Sequence, residues 1–148
     1  MRLLGHPVHP MLVHFPIVFW SCAVAADVVG MFGYAELAAG VAFGALALGC
    51  ISGLLAAIAG VFDFVDLPKD SPARDPAITH LTVMFSAWLI FLVALALRGY
   101  PPTTPVSIAS LIASATGFIA MTYGAWVGGK LVYEFGVGIT PGTKGSKV

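Results

Sequence analysis

Apolar residues run in four long blocks, 11–32, 38–62, 76–97 and 106–127, without period-two alternation, and charged or turn-forming residues separate them. A helical bilayer crossing needs about 20 mostly apolar residues, and in hydrocarbon only helices and closed barrels satisfy every backbone group. The pattern therefore predicts four transmembrane helices. The linkers are short: Gly33-Tyr34-Ala35-Glu36, then 67–75, then 98–105. Linkers of this kind join antiparallel neighbours, which gives an all-α, up-down-up-down four-helix bundle over 1–148 as a single domain. Asp75-Pro76 reads as the N-cap and first-turn proline of the third helix. The Gly- and Lys-rich segment 140–148 reads as a disordered tail.

Composition agrees with a membrane location. With 59% hydrophobic residues, 9% charged and a mean hydropathy of +0.96, the chain lacks the polar residues to cover a soluble surface. The formal charge is zero and no basic tract points to nucleic acid. The first block exceeds the usual signal-peptide core and is expected to remain as a helix. Arg2, Lys69, Arg74, Lys130, Lys144 and Lys147 fall on the side that holds both termini, against Arg98 opposite. By the positive-inside rule, both termini are expected to face the cytoplasm of a bacterium, with the bundle in its inner membrane.

Candidate chemistry gathers at the same side. Gly5-His6-Pro7-Val8-His9-Pro10-Met11-Leu12-Val13-His14-Phe15-Pro16 puts three of the four histidines at the start of the first block, and His80 lies one turn into the third. Asp63 and Asp66 close the second block; Tyr123, Trp126, Tyr133 and Glu134 lie at or beyond the end of the fourth. Histidine and carboxylate within hydrocarbon are costly, and they mark sites more often than anchors. Each also has a plain structural reading: interfacial polar residues for His6 and His9, satisfied core histidines for His14 and His80, pairing to Lys69 or Arg74 for the aspartates, and interface anchoring for Trp126 and Tyr133. Asp27, on the other side, is expected to hydrogen-bond within the bundle or reach the interface near Glu36. Cys22 and Cys50 read as buried thiols, and the absence of Cys-x-x-Cys-His excludes covalent c-type haem attachment by this chain.

The second block carries Ala45, Gly49, Gly53 and Ala57 at spacing four, and the fourth carries Gly117, Gly124 and Gly128. Such faces allow close helix approach or a homo-oligomer, and they would also leave a slot for a flat ligand between helices. His14-Phe15-Pro16-Ile17-Val18-Phe19 and His80-Leu81-Thr82-Val83-Met84-Phe85 open the first and third blocks, which suggests a tandem pair of helical hairpins related by an axis along the membrane normal. In that register His14 and His80 would be equivalent and would face each other.

The histidine-rich opening, the histidine of the third block and Gly128-Gly129-Lys130-Leu131-Val132-Tyr133-Glu134-Phe135-Gly136-Val137-Gly138 resemble a family of small bacterial membrane proteins known as domain of unknown function 2231. The resemblance covers nearly the whole chain and maps the family's motif onto His6, His9, His14, His80, Tyr133 and Glu134. It implies association with redox modules such as Rieske iron-sulfur and cytochrome domains, and so electron transfer. No redox domain follows before Val148, so the donor or acceptor is expected to be a separate molecule or quinone.

The leading expectation is a b-type haem protein, with His14 and His80 as axial ligands from different helices. His6, His9, Arg74 and Lys130 would face the propionates, Gly49, Gly53 and Gly124 would leave room for the porphyrin, and Met11, Met84 or Met121 would serve in His/Met ligation. A zinc, iron, copper or manganese ion held by histidines with Asp63 or Asp66 is the alternative. A proton or ion pathway through Asp27, Asp63, His14 and His80 is a further one, and a cofactor-free assembly partner the last. No residues are spaced as a hydrolytic nucleophile with its base, so a redox carrier is favoured over a hydrolase.

Overall fold

Long apolar blocks with few β-branched breaks propagate helix readily, and the computed structural model, which describes residues 2–3, 6–102 and 104–139, is accordingly helical. A two-residue antiparallel pairing of β1 (Arg2–Leu3) with β2 (His6–Pro7) precedes the helices. The first crossing is split by a turn at Val13 into α1 (Val8–Leu12) and α2 (His14–Gly30). The others are α3 (Ala35–Val65), α4 (Arg74–Ala96) and α5 (Ile108–Tyr133). The four stretches Val8–Gly30, Ala35–Val65, Arg74–Ala96 and Ile108–Tyr133 are each long and apolar enough to cross a membrane.

All four predicted crossings are present, with ends that differ from those read off hydropathy. At 31 residues α3 is about 46 Å long, well beyond a hydrocarbon core of about 30 Å, so its last turn with Asp63 continues past the apolar run. In the same way α5 extends through Lys130 to Tyr133. The predicted cap at Asp75 is not used: α4 begins at Arg74 after Ala73, and Asp75 lies in its first turn, where a carboxylate favours the helix dipole. Gly33, at φ 109°, makes the tight turn from α2 into α3. At α5, the Ser107 hydroxyl accepts the Ser110 N–H at 3.2 Å. The segment 140–148, read as a tail, lies outside the described residues.

The outward faces carry Val18, Leu48, Ile51, Leu55, Val93, Ile112 and Ile119, all exposed, as lipid contact requires. Inside, small residues bring the helices close. The Trp20 and Phe91 rings stack in the middle of the bundle, centroids 4.5 Å apart and planes at 11°. The backbone of α3 accepts Trp20 at Gly49 and Gly53, and that of α5 accepts Phe91 at Gly117. A Cβ at Gly49 would come within 2.5 Å of the Trp20 indole, whereas one at Gly40 would meet nothing within 4 Å. Gly49→Ala is therefore expected to cost about 1–3 kcal/mol by overpacking and Gly40→Ala to be neutral or stabilising, as read by thermal unfolding in detergent. Equal effects would show that the indole gives way freely.

Many buried positions of the two halves of the chain correspond at a constant offset. In the odd crossings, partners lie 71 positions apart: His9 with His80, Trp20 with Phe91, Asp27 with Arg98. The buried positions Pro16, Trp20 and Ala23 of α2 recur as Ala87, Phe91 and Ala94 of α4. Along the even crossings Ala42, Leu46, Gly49, Ala56 and Ala59 of α3 recur as Ser110, Ser114, Gly117, Gly124 and Val127 of α5. Equivalent residues touch each other, which is the mark of a two-fold relation, since a residue on such an axis meets its own counterpart. The duplication expected from sequence is thus seen, in another register: His9, not His14, is the counterpart of His80, and His14 matches Phe85, an exposed position like its own.

Candidate functional site

Three pairs of equivalent residues line this axis: the histidines at one end, the aromatic stack in the middle and an ion pair at the other. His9 lies in α1 and His80 six residues into α4. The His9 Nδ1 is 2.8 Å from the carbonyl oxygen of Ala56 on α3, and the His80 Nδ1 is 2.8 Å from that of Gly124 on α5. A carbonyl can only accept, so Nδ1 carries the proton in each neutral imidazole and Nε2 keeps its lone pair. A backbone bond at one ring nitrogen that orients the ring and leaves the other basic is the usual arrangement of a metal-ligating histidine.

Glycines make this possible. A Cβ at Gly60 would lie 3.0 Å from the His9 ring and one at Gly128 2.9 Å from the His80 ring, so each imidazole packs directly on the backbone one turn beyond its carbonyl partner. The rings lie across the axis from each other in an edge-on arrangement, with centroids 6.3 Å apart and planes at 84°. Gly60→Ala or Gly128→Ala is expected to push one ring aside while leaving the helices intact, read as displaced histidine ring signals with unchanged helical circular dichroism; unmoved ring signals would argue against that packing.

At the opposite end, Arg98 Nη2 donates to Asp27 Oδ2 at 2.6 Å and to the Ser114 hydroxyl at 3.2 Å. Both side chains are buried, 1% and 7% exposed. Asp27 therefore hydrogen-bonds within the bundle, the first of the two placements expected, and its partner is a cation that the sequence places in a loop. Asp27 Oδ1 and Arg98 Nε and Nη1 have no hydrogen-bond partner among the described residues. A cavity of about 160 Å³, lined by Asp27, Gly30, Met31, Ala38, Pro105 and Leu111 among others, adjoins the pair.

The remaining residues singled out from sequence fall as follows. His14 is exposed on the outer face of α2, and the ring packed against His80 is that of His9. The His6 side chain lies outside the described residues. Asp63 lies in the last turn of α3 and Asp66 is its C-cap residue; among the described residues no three His, Cys, Asp or Glu converge as metal ligands. Arg74 lies over the Phe64 ring at 4.7 Å and donates to the Leu67 carbonyl at 3.4 Å, so it serves the turn between α3 and α4. The space over Gly49 and Gly53 is filled by Trp20 and Trp88, and that over Gly124 by Met84, so the slot expected there for a porphyrin is taken up by the chain's own side chains. Met121 is buried in the same core and Met11 is exposed. Lys130 lies over the exposed Trp126 at 4.8 Å and pairs loosely with Glu134 at 3.8 Å, and Tyr133 is exposed, which suits interfacial anchors. Cys22, read as buried, is exposed, while Cys50 is buried.

Hydropathy alone could not pair His9 with His80. A signal was nonetheless present in the constant offset shared by the histidines, Trp20 with Phe91 and Asp27 with Arg98. No curated protein and no solved structure gives a significant match to the chain. A family described as predicted membrane protein, DUF2231, matches residues 5–141. With four apolar helices and a family match over nearly its whole length, the chain belongs to the DUF2231 family of membrane proteins.

Proposed function

We propose that this protein is a b-type haem carrier of the bacterial inner membrane, with His9 and His80 as the axial ligands and both termini in the cytoplasm. The observation that carries the reading is the geometry of that pair. Two imidazoles from different crossings, each with Nδ1 tied to a backbone carbonyl, are held 6.3 Å apart between centroids. That separation would let the two Nε2 atoms, the ring nitrogens not engaged by backbone carbonyls, serve one metal centre held by His9 and His80.

The donor set favours haem over a bare ion. Haem iron takes four nitrogens from its macrocycle and needs two from protein. Zinc, non-haem iron or copper would call for a third or fourth protein ligand, and no such group converges among the described residues. The chain's own contribution is to fix both rings before binding, to keep their tautomers and to bring one ligand from each half to the axis. When bound, haem supplies a one-electron Fe(III)/Fe(II) couple, and the electron would pass to or from a separate redox partner or quinone. A proton pathway along the axis is less favoured, because the Trp20–Phe91 stack fills the space between the histidines and the ion pair.

The absorption spectrum of protein purified in mild detergent from haem-replete cells tests this. A Soret band with sharp α and β bands on reduction, at about one haem per chain, is the expected result. A colourless protein with stoichiometric zinc or copper would move the assignment to a two-histidine ion site, and neither colour nor metal would overturn both.

A further inference from the structure

The end of the bundle opposite the histidines carries unsatisfied chemistry of its own. Asp27 and Arg98 are 7% and 1% exposed, and Arg98 Nη2 donates both to Asp27 Oδ2 and to the Ser114 hydroxyl. Asp27 Oδ1, Arg98 Nε and Arg98 Nη1 are buried without a hydrogen-bond partner among the described residues. Buried polar groups are ordinarily paired, and a bare atom of an ionised side chain is costly. A carboxylate only accepts, so what Oδ1 lacks is a donor.

A cavity of about 160 Å³ lies against that carboxylate. It is bounded by the end of α2, the start of α3, Pro105 and Val106 before α5, and Leu111 in the first turn of α5. Among the described residues Asp27 is the one hydrogen-bonding side chain in its wall. The rest of the lining is apolar, with Ala38 and Ala39 buried and with Met31 and Ala35 exposed toward the outside.

Three properties of this wall select an occupant. The first is charge. Asp27 and Arg98 cancel, so a cation drawn to the carboxylate is repelled by the guanidinium beside it, and an anion the reverse; the occupant is neutral. The second is polarity. A buried water typically makes about three hydrogen bonds, and one carboxylate among apolar side chains suits it poorly, whereas a hydroxyl on an apolar body needs a single acceptor. The third is size, because a cavity of about 150 Å³ accommodates a benzene ring. We infer that the cavity beside Asp27 binds a single-ring phenolic compound, its hydroxyl donating to Asp27 Oδ1 and its ring lying against Ala38, Ala39 and Leu111. Free phenols and the ring of a membrane quinol share this chemistry. The assignment is independent of what His9 and His80 hold.

The experiment is NMR of the full chain in detergent with methyl-labelled methionine, read at Met31 in the cavity wall. One titration uses phenol and another toluene, which has the ring without the hydroxyl. A saturable shift of the Met31 methyl is expected, with phenol bound at least about tenfold tighter than toluene, the scale of one hydrogen bond to a charged group. Asp27→Asn should erase that preference while toluene still binds, which shows that the cavity has survived the substitution. Hydroquinone with and without an alkyl tail then separates the sources. A tail that tightens binding, after correction for partition into detergent, assigns a membrane quinol, and one that does not assigns a free phenol. No saturable shift at Met31, equal affinity for phenol and toluene, or a preference that survives Asp27→Asn would each overturn the inference, and all three leave the histidine site untouched.

Discussion

His9→Ala and His80→Ala are each expected to lose haem, by more than about 100-fold in affinity, while His14→Ala keeps it at the level of the unaltered protein. The scale follows from metal sites in which loss of even an outer hydrogen-bond partner costs 10–100-fold; removing a ligating imidazole costs more. The reason for the contrast is positional. His9 and His80 share the axis with rings 6.3 Å apart, whereas His14 lies on the exposed face of α2, at the position that Phe85 occupies in the second half. The measurement is the ratio of Soret to protein absorbance after purification, with helical circular dichroism to show that each variant is folded. Haem loss on His14→Ala with retention on His9→Ala would restore the pairing expected from sequence and overturn the one argued from structure. Exogenous imidazole offers a second readout, because a cavity left by His80→Ala can take it up and recover the spectrum, which a misfolded variant cannot do.

Arg98→Met is expected to destabilise the bundle by about 3–5 kcal/mol, the usual result of removing one partner from a buried ion pair. Asp27 is 7% exposed and accepts a hydrogen bond from Arg98 Nη2. Without that guanidinium its carboxylate would remain charged in a low-dielectric setting or take up a proton, and either is costly. Asp27→Leu should be comparably damaging, because it strands the buried cation instead. The double variant Asp27→Leu/Arg98→Met is expected to regain most of the loss, since a pair of apolar residues of similar volume often serves as well as a buried salt bridge. Thermal unfolding of the four proteins in one detergent gives the coupling directly. Additive losses would mean that the two residues act separately and that the 2.6 Å contact contributes little.

The legibility of the fold and of the site differ for a physical reason. A bilayer demands long apolar segments with internally satisfied backbones, so the crossings stand out in the hydropathy pattern itself. Their ends did not, because α3 and α5 continue as helix past the apolar runs, through Asp63 and Lys130. The gathering of histidines at the end that bears the termini was visible in the order of the blocks. Which histidine faces inward was not. His14 lies five positions after His9, about 140° further round a helix of 3.6 residues per turn, enough to turn from the inner face of the bundle to the outer one, and Val13 between them keeps helical backbone angles. Matching His14 to His80 on the residues that follow each of them chose the wrong frame, while the aromatic and charged pairs further along carried the right one.

Asp27 and Arg98 make the same point at the other end. From sequence, one is a lone acid in a crossing and the other a loop cation beyond a helix; they become a buried pair only when α2 and α4 lie side by side. The glycines of α3 and α5 were read correctly as places of close approach, and only packing shows that Trp20, Trp88, Met84 and Phe91 fill them.

By itself, the chain's pattern of apolar and polar residues determined that the protein lives in a membrane, that it crosses four times as helices, and that its histidines collect toward one end. These follow from local chemistry, in which each segment answers to the solvent around it. Which side chains meet was decided by tertiary structure, because a contact between residues 71 positions apart depends on the rotation and register of two helices, and the packing of the halves about their shared axis sets both.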